Sequence, residues 1–149
     1  MGVRGVGIAI LVALACQPSA AQDATERSRA ALGWINAYRA AQGRPSLDVS
    51  AALSRAARMH AEDMARHGHF SHTGSDGSSV ADRARRVGYR YCFIAENIAR
   101  GQAGLDAVLN GWAASPGHRR NMLSRDAESV ALVEAPGRVW VMVLGRAGC

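Results

Sequence analysis

Apolar positions in the first half of the chain recur with the period of an α-helix. Residues 23–26, DATE, have the capping-box pattern of an acceptor followed three positions later by Glu. Gly43 and Pro45 follow the last apolar residue of this helical pattern. The pattern predicts a helix that is capped by Asp23 and stops before Gly43. Its apolar face consists of Ala31, Trp34, Ile35, Tyr38 and Ala41.

A second helical stripe begins a few residues after Pro45. Asp48 has the side chain of an N-cap, and Gly68 is suited to the left-handed residue that ends a helix. We therefore predict a helix between these two residues. Its apolar stripe is Leu53, Ala57, His60 and Met64.

Three shorter helices are predicted further along. Residues 79–89, SVADRARRVGY, follow turn-forming residues, and either Ser78 or Ser79 is suited to cap them, with Gly88 as the stop. Residues 115–123, SPGHRRNML, combine Ser115 as a cap with Pro116 at the first helical position. The helix between them carries an apolar face of Leu105, Val108, Leu109 and Trp112 despite Gly111.

The second half of the chain also contains strand patterns. Residues 89–99, YRYCFIAENIA, are aromatic and β-branched until Glu96, so we predict a strand that ends at this carboxylate. Residues 128–145 form two apolar runs around Pro136 and Gly137, which favours a hairpin with a type II turn. Helices followed by strands indicate an α+β fold, with helices packed on an antiparallel sheet.

The first 21 residues have the layout of a secretory signal peptide. Arg4 precedes an apolar run over residues 6–15 that is too short to span a bilayer well, and small residues precede a cleavage point after Ala21. Lipid attachment at Cys16 is the alternative, although the position three residues before this cysteine is Ala13 and not a large aliphatic residue. We expect residues 1–21 to be removed and residues 22–149 to form one domain in a secreted or periplasmic protein.

Charge and cysteine content refine this picture. All 18 basic residues are arginine, and they are scattered along the chain with few aromatic residues, so we expect no nucleic-acid partner. Cleavage would leave two cysteines, Cys92 and Cys149, in an oxidising compartment. They are either a disulfide that ties the last residue to the middle of the chain or two free thiols.

Four of the five histidines lie in or just after the second predicted helix. His60 falls on the apolar stripe and is expected to be a hydrogen-bonded core residue. His67 is placed to complement the helix C-terminus, and His69 is expected on a loop surface or over the mouth of a site. His72 enters a Gly/Ser-rich loop with no packing reason for an imidazole, which favours a functional role.

Glu96 and His118 are the other candidates for chemistry. A carboxylate directly after an apolar strand needs a partner, or its pKa will rise, so Glu96 is either a structural acceptor or a site residue. His118 follows a proline-initiated turn, and both roles are open for it as well. The chain has no H-E-x-x-H, G-x-S-x-G, paired CxxC or phosphate-binding glycine motif with lysine.

Three stretches carry a specific resemblance. Residues 53–89, then residues 95–99 (AENIA), then residues 111–123 (GWAASPGHRRNML) occur in fixed order. Together they resemble the bacterial branch of the CAP superfamily, the SCP-like group of cysteine-rich secretory, antigen 5 and pathogenesis-related proteins. The resemblance implies a three-layer α-β-α sandwich with a central antiparallel sheet. It also implies a cavity lined by two histidines and two glutamates, which in some members holds a divalent metal such as zinc.

Carried over by motif, the cavity comprises His72, Glu96 and His118, with Ser115 where the family usually has the second glutamate. His72, Glu96 and His118 are then the expected metal ligands, a set sufficient for an open zinc site. Ser115 is a poor ligand at neutral pH, so binding should be weaker than in a complete tetrad. Ser115 is expected to cap the turn or to orient His118.

These features lead to three functional hypotheses. The first is an exported, non-catalytic module that binds a sterol, another lipid or a cell-surface or cell-wall component; it requires no cofactor, although the cavity could take a divalent metal. No catalytic residue is assigned, because no general base remains once Glu96 binds a metal. The alternatives are a metal-dependent hydrolase or protease, with Ser115 or water as the reacting group, and a structural or adhesive envelope protein.

Overall fold

The computed structural model describes residues 24–149. The predicted signal peptide, Cys16 and the Asp23 cap lie outside the described residues. Within residues 24–149, no helix combines the length and the apolar character that a membrane span requires. In chain order the elements are β1 (Thr25–Glu26), α1 (Ser28–Ala41), β2 (Asp48–Val49), α2 (Ala51–His67), α3 (Val80–Arg86), β3 (Tyr91–Arg100), α4 (Leu105–Ala114), α5 (Pro116–Met122), β4 (Ser129–Ala135) and β5 (Val139–Ala147).

The strands form one five-stranded sheet. The main path has the order β1-β4-β5-β3, with antiparallel neighbours, and the two-residue β2 pairs with β4 in parallel. The predicted hairpin joins β4 to β5, and Gly137 has the positive φ, 79°, that its turn requires. The loop has three residues, because Ala135 pairs with Val139. Arg138, the last of the three, is also left-handed. β3 lies at the edge of the sheet.

Helices cover both faces of the sheet. On one face, α2 and α3 pack against alternate residues such as Val133 and Val141. On the other face, α1, α4 and α5 pack against Leu132 and Trp140. Because both faces are buried, β4 and β5 are continuous apolar runs instead of alternating ones. The structure therefore confirms the predicted α+β fold with three layers.

Two helices start later than the sequence predicts, because the residues predicted to begin them pair with β4 in the sheet. Glu26 lies in β1 opposite Val133, and α1 begins at Ser28, so the predicted capping box is wrong. The Glu26 carboxylate instead accepts a hydrogen bond from the Ser28 backbone at 2.7 Å. Asp48 pairs with β4 in β2, and Ser50 caps α2 through its contact with Leu53 N.

The other predicted helix ends agree with the structure. Gly68 ends α2 in the left-handed conformation, with φ of 67°. Of the two serines considered for α3, Ser79 is the cap, in a reciprocal capping box with Asp82. Pro116 is the first residue of α5, as expected.

The predicted strand end at Glu96 is wrong. β3 continues to Arg100, and Glu96 pairs with Val143 in the middle of the strand. Residues 97–99 retain their partners on β5, so the strand continues through the carboxylate. Glu96 is therefore a mid-strand buried acid and not a residue exposed at a strand end.

The disulfide between Cys92 and Cys149 is present, with a Cα–Cα distance of 5.3 Å. It joins the second residue of β3 to residue 149, which are 57 residues apart in sequence. In the chain-entropy description, a loop of this length stabilises the fold by roughly 4 kcal/mol.

We predict that Cys149→Ser lowers the free energy of unfolding by about 2–4 kcal/mol, because the unfolded chain regains the entropy of an open loop. Urea denaturation of the protein and the variant measures the change. The double variant Cys92→Ser/Cys149→Ser should lose the same amount. A loss well below about 1 kcal/mol in both would contradict this role of the disulfide.

Candidate functional site

Glu96 lies at the centre of the candidate site. Its side chain is only 2% exposed, and each carboxylate oxygen has a different partner. Oε1 lies 2.9 Å from Nδ1 of His72, and Oε2 lies 2.8 Å from Nη2 of Arg83. A buried carboxylate of this kind stays charged only when it is paired and hydrogen-bonded, and both conditions are met here.

Arg83 is the partner that the sequence interpretation missed. Its side chain is buried on α3, where Nη1 donates to the Ser78 carbonyl at 2.7 Å. Nη2 donates to the carbonyl of His72 at 3.1 Å as well as to Glu96. One guanidinium therefore holds both the buried acid and the loop that carries His72. The signal was available in principle, because a carboxylate inside a strand requires a cation, but nothing local distinguishes Arg83 from its neighbouring arginines.

His72 contacts Glu96 from the solvent side. Its side chain is 58% exposed, and the hydrogen bond to the carboxylate raises its pKa, against a smaller opposing effect of desolvation. His72 is thus the second hydrogen-bond partner of Glu96, on the oxygen that Arg83 does not bind.

His60 is the hydrogen-bonded core histidine that its position predicts. Its side chain is fully buried, and Nε2 lies 2.8 Å from the carbonyl of Ser71 and 3.8 Å from Oε1 of Glu96. Burial lowers the pKa of His60 and outweighs the opposing effect of Glu96. The ring is therefore neutral, and Nε2 must carry the proton because a carbonyl can only accept.

His118 and Ser115 form a second pair. Nδ1 of His118 lies 2.9 Å from Oγ of Ser115, which makes no cap hydrogen bond to the α5 backbone. Burial lowers the pKa of His118, and the charge of His72 lowers it further. Of the two roles expected for Ser115, the structure therefore favours orientation of the imidazole.

The two pairs make no hydrogen bond to each other in the described residues. Ile94 and Ile98 pack with the α2 and α3 layer, and Glu96 points the same way toward Arg83. Asn97 points to α5, where its side chain donates to the carbonyl of His118 at 3.2 Å. In the described part of the chain, His118 makes no hydrogen bond to either His72 or Glu96. The structure thus joins His72 to Glu96 and Ser115 to His118.

Both oxygens of Glu96 are engaged in the structure, one of them by a buried arginine cation, so a metal at this carboxylate would have to compete with His72 or Arg83. Among residues 24–149, the one group of three His, Cys, Asp or Glu residues whose ligand atoms all lie within 4.8 Å consists of Asp63, His67 and His69. Metal binding by His72, Glu96 and His118 stays a prediction.

A groove of about 330 Å³ runs along the edge of β3 beside His118. Phe70, 47% exposed, stands at the groove, and the guanidinium of Arg100 lies over its ring at 5.2 Å. The indole Nε1 of Trp112 donates to the carbonyl of Ile98 at 3.2 Å, which fixes α4 against the strand. The apolar part of the lining consists of Phe70, Ile98, Ala99, Val108 and Trp112.

Comparison with known proteins identifies related sequences. The sequence profile of the cysteine-rich secretory protein family, CAP, matches residues 32–142. The uncharacterized protein YkwD of Bacillus subtilis (strain 168) is 34% identical over 107 residues, which are 70% of this chain and 41% of that protein. The uncharacterized membrane protein YlbC of the same strain is 29% identical over 102 residues, 68% of this chain and 30% of that protein. The chain therefore spans less than half the length of these two relatives.

Solved structures with the same fold come from three bacteria. An extracellular protein containing a SCP domain from Bacillus anthracis str. Ames has a TM-score of 0.75 at 24% identity, over 79% of this chain and 39% of that one. An outer surface protein from Borrelia burgdorferi has a TM-score of 0.72 at 18% identity, over 80% and 92%. A cysteine-rich secretory protein from Staphylococcus aureus subsp. aureus Mu50 has a TM-score of 0.68 at 13% identity, over 80% and 38%. At these identities the likeness establishes the fold.

We predict that Arg83→Met lowers the free energy of unfolding by about 3–5 kcal/mol, because it leaves a buried carboxylate without its cation. The double variant Arg83→Met/Glu96→Leu should recover most of this loss, since the uncompensated charge is removed. Urea denaturation of both variants measures the effect. Arg85→Met on the same helix is the control: Arg85 pairs with Asp82 on the surface, so the loss there should stay below about 1 kcal/mol. Equal losses in Arg83→Met and Arg85→Met would contradict the central role of the buried pair.

The pair of His72 and Glu96 predicts a pH dependence of stability. The folded-state pKa of His72 is raised, so its contribution is fully present below the ordinary histidine pKa of about 6.5 and is lost as the pH rises through the folded value. Because His72 is exposed, we expect no more than about 1 kcal/mol. His72→Gln should therefore be more destabilising at about pH 5.5 than at about pH 8.5, whereas Thr73→Ala in the same loop should show no such difference. A larger cost for His72→Gln at the higher pH would contradict the pairing.

Proposed function

The chain belongs to the CAP family of cysteine-rich secretory proteins, and we propose on that basis that it is an exported, non-catalytic module that binds a lipid or another small apolar ligand. Export is supported by the surroundings of two of the similar solved proteins, one described as extracellular and one as an outer surface protein. It is also supported by the layout of residues 1–21.

The groove along β3 is the observation that carries the proposal. Its volume of about 330 Å³ lies at the lower end of the range for small-molecule sites. Apolar side chains form its floor, while Arg100, Ser115 and His118 provide polar groups around it. This lining suits a ligand with an apolar body and one polar end, such as an alkyl chain with its headgroup or part of a sterol.

The environment of Glu96 supports binding over catalysis. A hydrolytic mechanism needs a carboxylate or imidazole that is free to accept a proton. Both oxygens of Glu96 are engaged by His72 and Arg83, and His60 donates to a backbone carbonyl. These groups form a hydrogen-bond network that stabilises the loop beside the groove.

Binding of a fluorescent fatty acid or sterol to the purified protein tests the proposal. Phe70→Ser removes an exposed apolar side chain from the groove, and we expect it to weaken binding about tenfold, equivalent to the burial of one large side chain. Met59→Ser is the matched control, because Met59 is also exposed, at 39%, but lies outside the groove. Absence of saturable binding, or equal weakening in the two variants, would refute the groove as the site.

One observation favours a hydrolase as the second candidate. Ser115 Oγ lies within hydrogen-bond distance of His118 Nδ1, and the lowered pKa of His118 leaves a neutral imidazole that could accept the serine proton. The same contact is what a serine at the start of a helix and a histidine three residues later would make for purely structural reasons. Hydrolysis of an activated ester that is lost in Ser115→Ala and retained in Phe70→Ser would favour the hydrolase over the binding module.

A further inference from the structure

Asp63, His67 and His69 form a compact cluster at the C-terminal end of α2. Nδ1 of His67 lies 2.9 Å from Oδ1 of Asp63, and Nε2 of His69 lies 3.4 Å from Oδ2 of Asp63. One ligand atom from each of the three residues lies within 4.8 Å of the others. We propose that these side chains bind a divalent transition ion such as Zn²⁺, at a site separate from Glu96 and from the groove.

Local structure brings the three side chains together. Asp63 and His67 are four residues apart on α2 and therefore lie on the same face of the helix. Gly68 adopts a left-handed conformation and reverses the chain, so that His69 returns toward Asp63. Tetrahedral zinc, with bonds of about 2.0–2.1 Å, separates its ligand atoms by roughly 3.3 Å. The contacts of Asp63 with His67 and His69, at 2.9 and 3.4 Å, are close to this spacing.

The carboxylate of Asp63 is already oriented for this role. Both of its oxygens accept hydrogen bonds from Ser75, Oδ2 from the backbone N–H at 2.8 Å and Oδ1 from the hydroxyl. Metal-binding carboxylates are typically held by such outer hydrogen bonds.

The environment of His69 is the second observation that supports the proposal. Both of its ring nitrogens are shielded from solvent and lack a hydrogen-bond partner, since the 3.4 Å contact with Asp63 does not meet hydrogen-bond geometry. A shielded imidazole without partners is costly, and a metal bond at one nitrogen would remove part of that cost. The carbonyl of His69 accepts from Arg100, which fixes this part of the loop.

The donor set determines which ion fits. Two imidazoles and one carboxylate suit zinc, cobalt, nickel or copper, whereas magnesium and calcium prefer oxygen ligands alone. Water would fill the remaining positions. The positive charge of Arg100 at the His69 carbonyl opposes a second cation, so we expect affinity in the micromolar range and no tighter. His69 and Ser75 flank His72 in the sequence, and both contact Asp63. A bound ion would therefore stabilise the loop that carries His72.

Calorimetric titration of Zn²⁺ into the untagged protein at neutral pH tests the site. We expect one ion per chain, a rise in Tm on addition of Zn²⁺, and no comparable effect of Mg²⁺. The side chain of His67 is 50% exposed, so its removal should not disturb folding. His67→Ala should weaken Zn²⁺ binding about tenfold or more, and His69→Ala should do the same.

His72→Ala is the matched control, because it removes an exposed histidine of the same loop that lies outside the cluster. Its Zn²⁺ affinity should stay within about twofold of that of the unaltered protein, equivalent to roughly 0.4 kcal/mol. Loss of binding in His72→Ala with retention in His67→Ala would overturn the proposal and place the ion at Glu96. Absence of Zn²⁺ binding in the unaltered protein would overturn it too. Neither result changes the outcome of the lipid-binding experiment, so the proposed groove and the proposed metal site are tested independently.

Discussion

The buried ion pair between Arg83 and Glu96 is the interaction on which the rest of the site depends. Glu96 lies in the middle of an edge strand, where an unpaired carboxylate would either leave the core or take up a proton. Arg83 prevents this by joining β3 to α3, and its second nitrogen also binds the carbonyl of His72. The position of the histidine loop therefore follows from a charge that the core must neutralise.

β3 contacts helices on both faces of the sheet. Successive side chains of a strand point to opposite faces, so Glu96 meets α3 while Asn97 meets α5. The carbonyl of His118 accepts a hydrogen bond from Asn97, and its ring lies within hydrogen-bond distance of Ser115. Ser115 and His118 line the apolar groove, whereas Glu96 is held by His72 and Arg83.

Predictions from periodicity were accurate where a long apolar stripe and a defined stop coincide. The stripe of α2 and its Gly68 stop, Pro116 at the start of α5, and the hairpin around Gly137 all agree with the structure. The errors at Glu26 and Asp48 share one cause. Both residues are suited to cap a helix, but pairing with β4 offers their backbone groups partners that a local pattern cannot reveal.

By itself, the sequence determined the layers of the fold and the disulfide candidates, and it predicted His72, Glu96, Ser115 and His118 as cavity residues. Hydrophobic periodicity and motif order can be identified from the sequence without knowledge of tertiary contacts. Only the tertiary structure decided that Arg83 neutralises Glu96, that His118 belongs to Ser115, and that His67 and His69 share Asp63. Each of these contacts pairs charged groups or imidazoles that are distant or ambiguous in the sequence. Which groups meet depends on burial and on the position of each side chain in the fold, and sequence spacing alone does not give either.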